Sequence, residues 1–186
     1  MLQKNWSELI KPNKMEVNVE DSNGRFGVLT AEPLERGFGL TLGNAIRRIL
    51  LSSLQGAAIT SVKIKGVVHE FSTIPGVKED LTDILLNLKS IAVKVHSQGL
   101  KKMYLRSSGS GELRAGNFET DSETEIMNPD QLIMTLDSNA DVEIEANVET
   151  GKGYVTAEVA EDENKIIGEI KLDAMFSPVV KASYKI

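Results

Sequence analysis

The readable pattern begins at "MEVNVED" (15–21), where Met15, Val17 and Val19 alternate with polar residues. A period of two gives a strand one face for a core and one for solvent, so a half-buried strand is expected here. "SNGR" (22–25) is a turn signal and "FGVLTAEPL" (26–34) returns as a second strand, which predicts a hairpin. The period then changes. From Thr41 to about Leu54, the positions Leu42, Ala45, Ile46, Ile49, Leu50 and Ser53 recur at helical spacing and predict one continuous face. Such a helix is roughly 22 Å long. Gly56, just beyond, is expected to end it.

Strand patterns dominate the remainder. "AAITSVKIKGVVHEF" (57–71) reads as a strand, with Ile59, Val62 and Ile64 among its apolar members. "IPGVKEDLTDILLNLKS" (74–90) reads as a turn followed by a second helix, with Leu81, Ile84, Leu85 and Leu88 at spacings of three and four. "IAVKV" (91–95), "DVEIEANVET" (141–150), "GYVTAEVA" (153–160) and "IGEIKLDA" (167–174) are further expected strands. "SSGSGELRAGN" (107–117) reads as a flexible connection and "EDENK" (161–165) as an exposed acidic loop. The character of the chain shifts between Gln55 and Ala57, from a hairpin and one strongly apolar helix to a long strand-rich stretch, and this marks an expected domain boundary.

The first helix raises a question of cover. Asn44, Arg48, Leu51 and Gln55 form a second line, apart from the apolar face, so Leu51 is apolar on a mostly polar side beside Arg47 and Arg48. One reading makes Leu51 an ordinary exposed leucine. The other makes one face a contact with a second copy and the Arg48/Leu51 line a docking point, since arginine beside an apolar anchor is a favoured interface pairing.

Composition narrows the classes. The 186 residues suffice for one domain or two small ones. A net charge of −6 and a pI near 5.1 argue against the chain holding a nucleic-acid backbone by itself. With no cysteine, disulfides and thiolate metal sites are impossible. "MLQKNWSELIKPNK" has no secretory character, and no stretch approaches the ~20 apolar residues of a membrane span. A cytoplasmic protein with no membrane attachment is the expectation.

Four stretches, "EPLERGFGLTLGNAIRRILLSS" (32–53), "GVVHEFSTIPGVKEDLTDILLNLKSIAV" (66–93), "GKGYV" (151–155) and "DAMFSPV" (173–179), resemble in order the N-terminal domain of the alpha subunit of bacterial-type DNA-directed RNA polymerase. The first two are long and specific. The resemblance implies an α+β fold, a dimerisation domain of strands plus helices with an inserted strand-rich domain. Mapped here, that gives residues 1–54 with 177–186 as the dimerisation domain, incomplete at its C-terminus, and 55–176 as the insert. It implies a non-catalytic subunit that forms a homodimer and assembles the beta and beta-prime subunits for transcription. By resemblance, Phe38, Leu42, Ile46 and Ile49 pack across the dimer axis, Arg48 and Leu51 meet the beta subunit, and Lys89 and Leu172 meet beta-prime. The family continues past the "SPV…Y" segment into another strand, a long helix, a linker and a DNA-binding domain. The chain stops at Ile186, so the expectation is a fragment in which dimerisation is weakened and DNA and activator contacts are missing.

Catalytic chemistry finds little foothold. His69 and Glu70 are adjacent and on a strand would point to opposite faces. His69 and His96, the two histidines, lack ligand spacing, so no metal site is expected. No G-x-x-x-x-G-K-[ST] loop and no G-x-S-x-G elbow occur, and Gly37 and Gly39 read as backbone that permits the turn into the helix. Ser52 and Ser53 have no nearby histidine, and Trp6 reads as a packing anchor. No catalytic residue and no cofactor is expected. Two other classes remain open on the residues alone. An enzyme with a dispersed site would need convergent polar groups with shifted pKa values. A stand-alone interaction or ligand module would seal Leu51 within its own chain or use it to line a pocket.

Overall fold

The computed structural model of the chain describes residues 9–19, 24–97, 99–157 and 168–186. It divides into two compact units, Met1–Ile49 with Lys181–Ile186, and Leu50–Val180. Trp6 and the acidic stretch 161–165 lie outside the described residues, as does part of the expected turn at 22–25.

In the first unit, β1 (Lys14–Val19) and β2 (Gly27–Glu32) pair antiparallel, from Lys14 opposite Glu32 to Val19 opposite Gly27. This is the hairpin that the alternation predicts, with one difference. Met15, Val17 and Val19 are all exposed, so the side expected to be half-buried is uncovered in the single chain. Helix α1 spans Phe38–Ser52 and starts three residues before the expected Thr41. Gly37, at φ 89°, turns the chain into it, and the Phe38 amide donates to Glu35 O at 3.0 Å. Gly39 serves a different purpose from the turn that the sequence suggests. Gly39 and Gly43, one turn apart on the helix, lie under the C-terminal segment. A Cβ at Gly43 would stand 2.6 Å from Tyr184 Cδ2, and one at Gly39 would stand 3.1 Å from Ile186 Cγ2.

The second unit is built on β3 (Gln55–Ile64), β5 (Lys101–Ser108) and β9 (Asp141–Lys152), with the order β5-β9-β3 and every pairing antiparallel. The free edge of β3 takes β4 (Val93–Val95) at Ala57 and β11 (Glu169–Lys171) at Ser61–Lys63, and β4 in turn pairs β7 (Thr124–Ile126). Two short ribbons complete the unit: β6 (Gly111–Arg114) with β8 (Leu132–Leu136), and β10 (Tyr154–Val155) with β12 (Ala174–Met175). Val62, Met103, Leu105, Ile144, Ala146 and Val148 line the buried face of the sheet. Helix α2 (Leu81–Lys89) covers core with Leu81, Ile84, Leu85 and Leu88, all buried, as their spacing predicts. Each such side chain contributes about 1.5–3 kcal/mol when fully buried.

Several boundaries differ from the sequence expectation for identifiable reasons. The strand expected over 57–71 stops at Ile64, because Gly66 (φ 81°) and the Val67 amide bonded to Ile64 O make a turn. His69 therefore sits in a loop, with Nδ1 3.2 Å from Ser72 Oγ, and the argument from strand faces does not apply to it. The stretch 107–117, expected to be a flexible connection, is ordered: it holds the end of β5, all of β6 and a 3-10 turn at Ala115–Asn117, with Leu113 and Ala115 buried. Within the expected strand 153–160 the ladder covers only Tyr154–Val155, and 158–160 lie outside the described residues. Of 167–174, Glu169–Lys171 pairs β3 and Ala174 begins β12.

Gly56 does not terminate the helix. It lies inside β3, opposite Gly151 of β9, and together they form a seat for Phe176. A Cβ at Gly56 would fall 1.9 Å from Phe176 O, and one at Gly151 would fall 2.7 Å from the Phe176 ring. Phe176 is buried there, with its amide bonded to Gly153 O at 2.8 Å.

Candidate protein-interaction site

Helix α1 is the first of two surfaces that the sequence singles out. At 100° per residue, Phe38, Leu42, Ala45 and Ile49 share one arc, and Ile46 sits at its flank toward Gly39 and Gly43. The C-terminal segment takes the glycine side. The neighbouring arc is open: Phe38, Leu42, Ile46 and Ile49 retain 40%, 41%, 41% and 53% of their accessible surface, and no described residue of the helix is buried. Arg48 is exposed and Leu51, one turn further, is half-buried. Leu51 thus has some cover in its own chain without being sealed.

The charge around this helix differs from the acidic average of the chain. Met1–Ile49 with Lys181–Ile186 carries nine Lys and Arg against six Asp and Glu, whereas Leu50–Val180 carries twelve against twenty-one. A net charge of −6 therefore conceals a first unit that is positive, with Arg47 and Arg48 on its helix.

The second surface lies in the other unit, at the C-terminal end of α2. Lys89 Nζ is 3.2 Å from Asp173 Oδ2, and both side chains are about one-third exposed (28% and 35%). Asp173 follows Leu172, so the fold brings the two positions expected to meet beta-prime into one neighbourhood. Their side chains are placed differently. Leu172 is 7% exposed and belongs to the core, and its amide donates to Thr60 O at 2.8 Å, at the bulge of β3. The surface here is formed by Lys89, Asp173, Tyr154 and Met175, the last two exposed and directly opposite each other in the β10–β12 ladder. Asp173 also accepts the Ala157 amide at 3.0 Å and faces the Tyr154 hydroxyl. The Ala157 bond, then the Tyr154 and Lys89 bonds, hold its carboxyl below the usual aspartate range against a small opposing effect of burial. The Tyr154 phenol is pushed up, chiefly by its bond to that carboxylate. Neither Asp173 nor Tyr154 stands out in the sequence beyond membership of "DAMFSPV" and "GKGYV", because only the cross-strand register joins them.

Other groups have local roles. Glu79 accepts the Thr135 amide at 2.7 Å and the Thr135 hydroxyl at 2.8 Å, tying the entry of α2 to β8. Burial raises its pKa, but the two Thr135 bonds, together with its own backbone amide and the nearby Lys78 charge, outweigh it and leave the carboxyl below the usual glutamate range. An open depression of about 360 Å³, lined by Gly76, Val77, Lys78, Thr135, Leu136 and Asp137, has much of its backbone already committed: the Lys78 amide donates to Thr135 O and the Asp137 amide to Gly76 O. His96 Nε2 lies 3.8 Å from Glu125. Among the described residues, no group of three or more His, Asp or Glu is placed to hold a metal ion, and no helix is long and apolar enough to cross a membrane.

The strand-rich unit with this surface also carries the similarity to known proteins. Residues 62–177, more than half of the chain, match the model of the RNA polymerase Rpb3/RpoA insert domain. The match takes in both helix α2 and the β10–β12 ribbon, hence Lys89, Tyr154 and Asp173. A chain with this fold over this span is an RNA polymerase subunit of the alpha/Rpb3 type, and it belongs to the RNA polymerase Rpb3/RpoA insert-domain family.

Proposed function

We propose that the chain is a non-catalytic assembly scaffold of the bacterial alpha type, working in the cytoplasm. Two copies pair through Phe38, Leu42, Ile46 and Ile49 of α1. The pair then recruits the beta subunit through Arg48 and Leu51, and beta-prime through the surface around Lys89 and Leu172. One surface cannot serve two large subunits in one copy, but a symmetric dimer presents each surface twice and leaves a different copy for each partner. The dimerisation domain of such a subunit is the first unit, and the insert is the second.

The observation that carries this reading is the open apolar arc of α1. Four large apolar side chains at 40–53% exposure are a standing free-energy cost that a second copy would relieve. The positive charge of the same unit suits an interface in which arginine sits beside apolar anchors.

Ile49→Asp places a charge in the centre of the arc and should abolish self-association of the subunit while leaving its circular-dichroism spectrum intact. Sedimentation velocity reads this directly, and equal dimer fractions for the variant and the parent would refute the pairing. Arg48→Ala in the same subunit should reduce co-purification of beta without changing the dimer fraction. Undiminished capture of beta would remove Arg48 from the contact.

A further inference from the structure

Asp173 receives two donors from separate parts of the second unit, the Lys89 ammonium at the end of α2 and the Ala157 amide beyond β10, and its carboxylate also faces the Tyr154 hydroxyl on β10. A lone exposed ion pair contributes little to stability. Here one oxygen is fixed by a backbone amide and the other faces the lysine, so the carboxylate has a defined orientation. Lysine has four rotatable side-chain bonds, and docking a free lysine costs that freedom. A lysine already held by a fixed carboxylate has lost part of it in advance.

The surroundings are those of an interface rather than of bare surface. Tyr154 is 60% and Met175 49% exposed, and they lie opposite each other in register beside the clamp. Tyrosine and methionine are enriched at protein interfaces. Leu172 is buried in the core, so the side chain that this point of the chain presents to the surface is that of its neighbour Asp173.

The geometry points to Asp173 as the positioning residue of this surface: it holds Lys89, Tyr154 and the segment through Ala157 in one arrangement ready for the beta-prime subunit. This rests on Lys89 being a beta-prime contact. Asp173 acts through Lys89 and Tyr154 and need not itself touch the partner.

The test uses the subunit assembled with beta, to which beta-prime is titrated, with three variants. Asp173→Asn keeps an oxygen for the Ala157 amide but loses the charge facing Lys89. Its melting temperature should stay near that of the parent, and its apparent affinity for beta-prime should fall about fivefold, the upper range for a partly exposed pair. NMR of ring-labelled tyrosine should show the Tyr154 ionisation midpoint moving down toward that of an ordinary phenol. Asp173→Glu, which keeps the charge, should recover part of the affinity. A Tyr154 midpoint that moves while beta-prime affinity stays at the parent value would overturn the positioning role, and an unmoved midpoint would overturn the clamp itself. Lys89→Ala addresses the underlying contact separately: if it leaves beta-prime affinity unchanged, the reading of Lys89 as a contact fails, whatever Asp173→Asn does.

Discussion

Two helices among the described residues carry similar apolar spacing and meet opposite fates. Helix α2 buries Leu81, Ile84, Leu85 and Leu88, and it adds a hydrogen bond from Asn87 Nδ2 to Ile133 O that fixes it over β8. Helix α1 is longer and buries none of its described residues. Periodicity reports that a face needs cover, and it says nothing about which molecule provides it. For α2 the cover is the sheet of its own unit. For α1 part of it is the C-terminal segment over Gly39 and Gly43, and the rest is open. The difference separates a helix that stabilises the fold from one whose apolar face is available for association.

The contrast breaks most visibly under truncation. Leu88→Ala removes a side chain with no exposed surface and should cost about 3 kcal/mol in urea denaturation, as large-to-small core changes do. Ile49→Ala, matched in chemistry and measured at dilutions where the chain is monomeric, should cost under about 1 kcal/mol, because half of that side chain is already in water in the single copy. Equal costs at the two sites would mean that α1 is as well covered as α2.

A smaller effect tests the cover that α1 does have. Glycine to alanine inside a helix ordinarily gains about 1 kcal/mol. At Gly43 the new methyl would collide with the Tyr184 ring, so the gain should vanish or reverse. In a Tyr184→Ala background the ordinary gain should return, and a double-mutant cycle by thermal melting measures the coupling. Equal gains in both backgrounds would show that the segment does not lie on the helix.

The smallest effect concerns how α2 is anchored. The Glu79 carboxyl is held below the usual glutamate range by Thr135, so its stabilisation is complete above that range and is lost as pH falls through its lowered pKa. Glu79→Gln should therefore lower stability modestly near neutrality and converge with the parent in acid, which flattens the acid limb. Denaturation midpoints across the acid range check this, and parallel limbs for parent and variant would exclude the carboxylate from the anchor.

Much of this was legible in the sequence where the pattern is local. The hairpin follows from Met15, Val17 and Val19, and α2 from four residues at spacings of three and four. Strand β5 obeys the same rule through Met103 and Leu105, yet lysines and serines around them mask it. Strand β7 is three residues long and too short to show a period. The second surface was half legible. Lys89 and Leu172 are singled out only through the motifs that hold them, as positions the resemblance implies. That one is exposed and the other buried depends on the pairing of β11 with β3, and the role of Asp173 depends on β10 pairing with β12. Gly56 departs from its expected role for a related reason: a glycine after a helical run looks like a stop, and the residue that requires it, Phe176, arrives far downstream.

That aromatic seat has a consequence for how the protein can vary. Its floor is two bare backbones, with no side chain to trim or enlarge, so positions 56 and 151 admit no graded change: any added carbon meets the Phe176 carbonyl or ring. The occupant is under a looser constraint, since another flat or flexible apolar group of similar bulk can lie on the same floor. Natural variation should therefore be one-sided, frozen in the two strands and tolerant in the segment that rests on them.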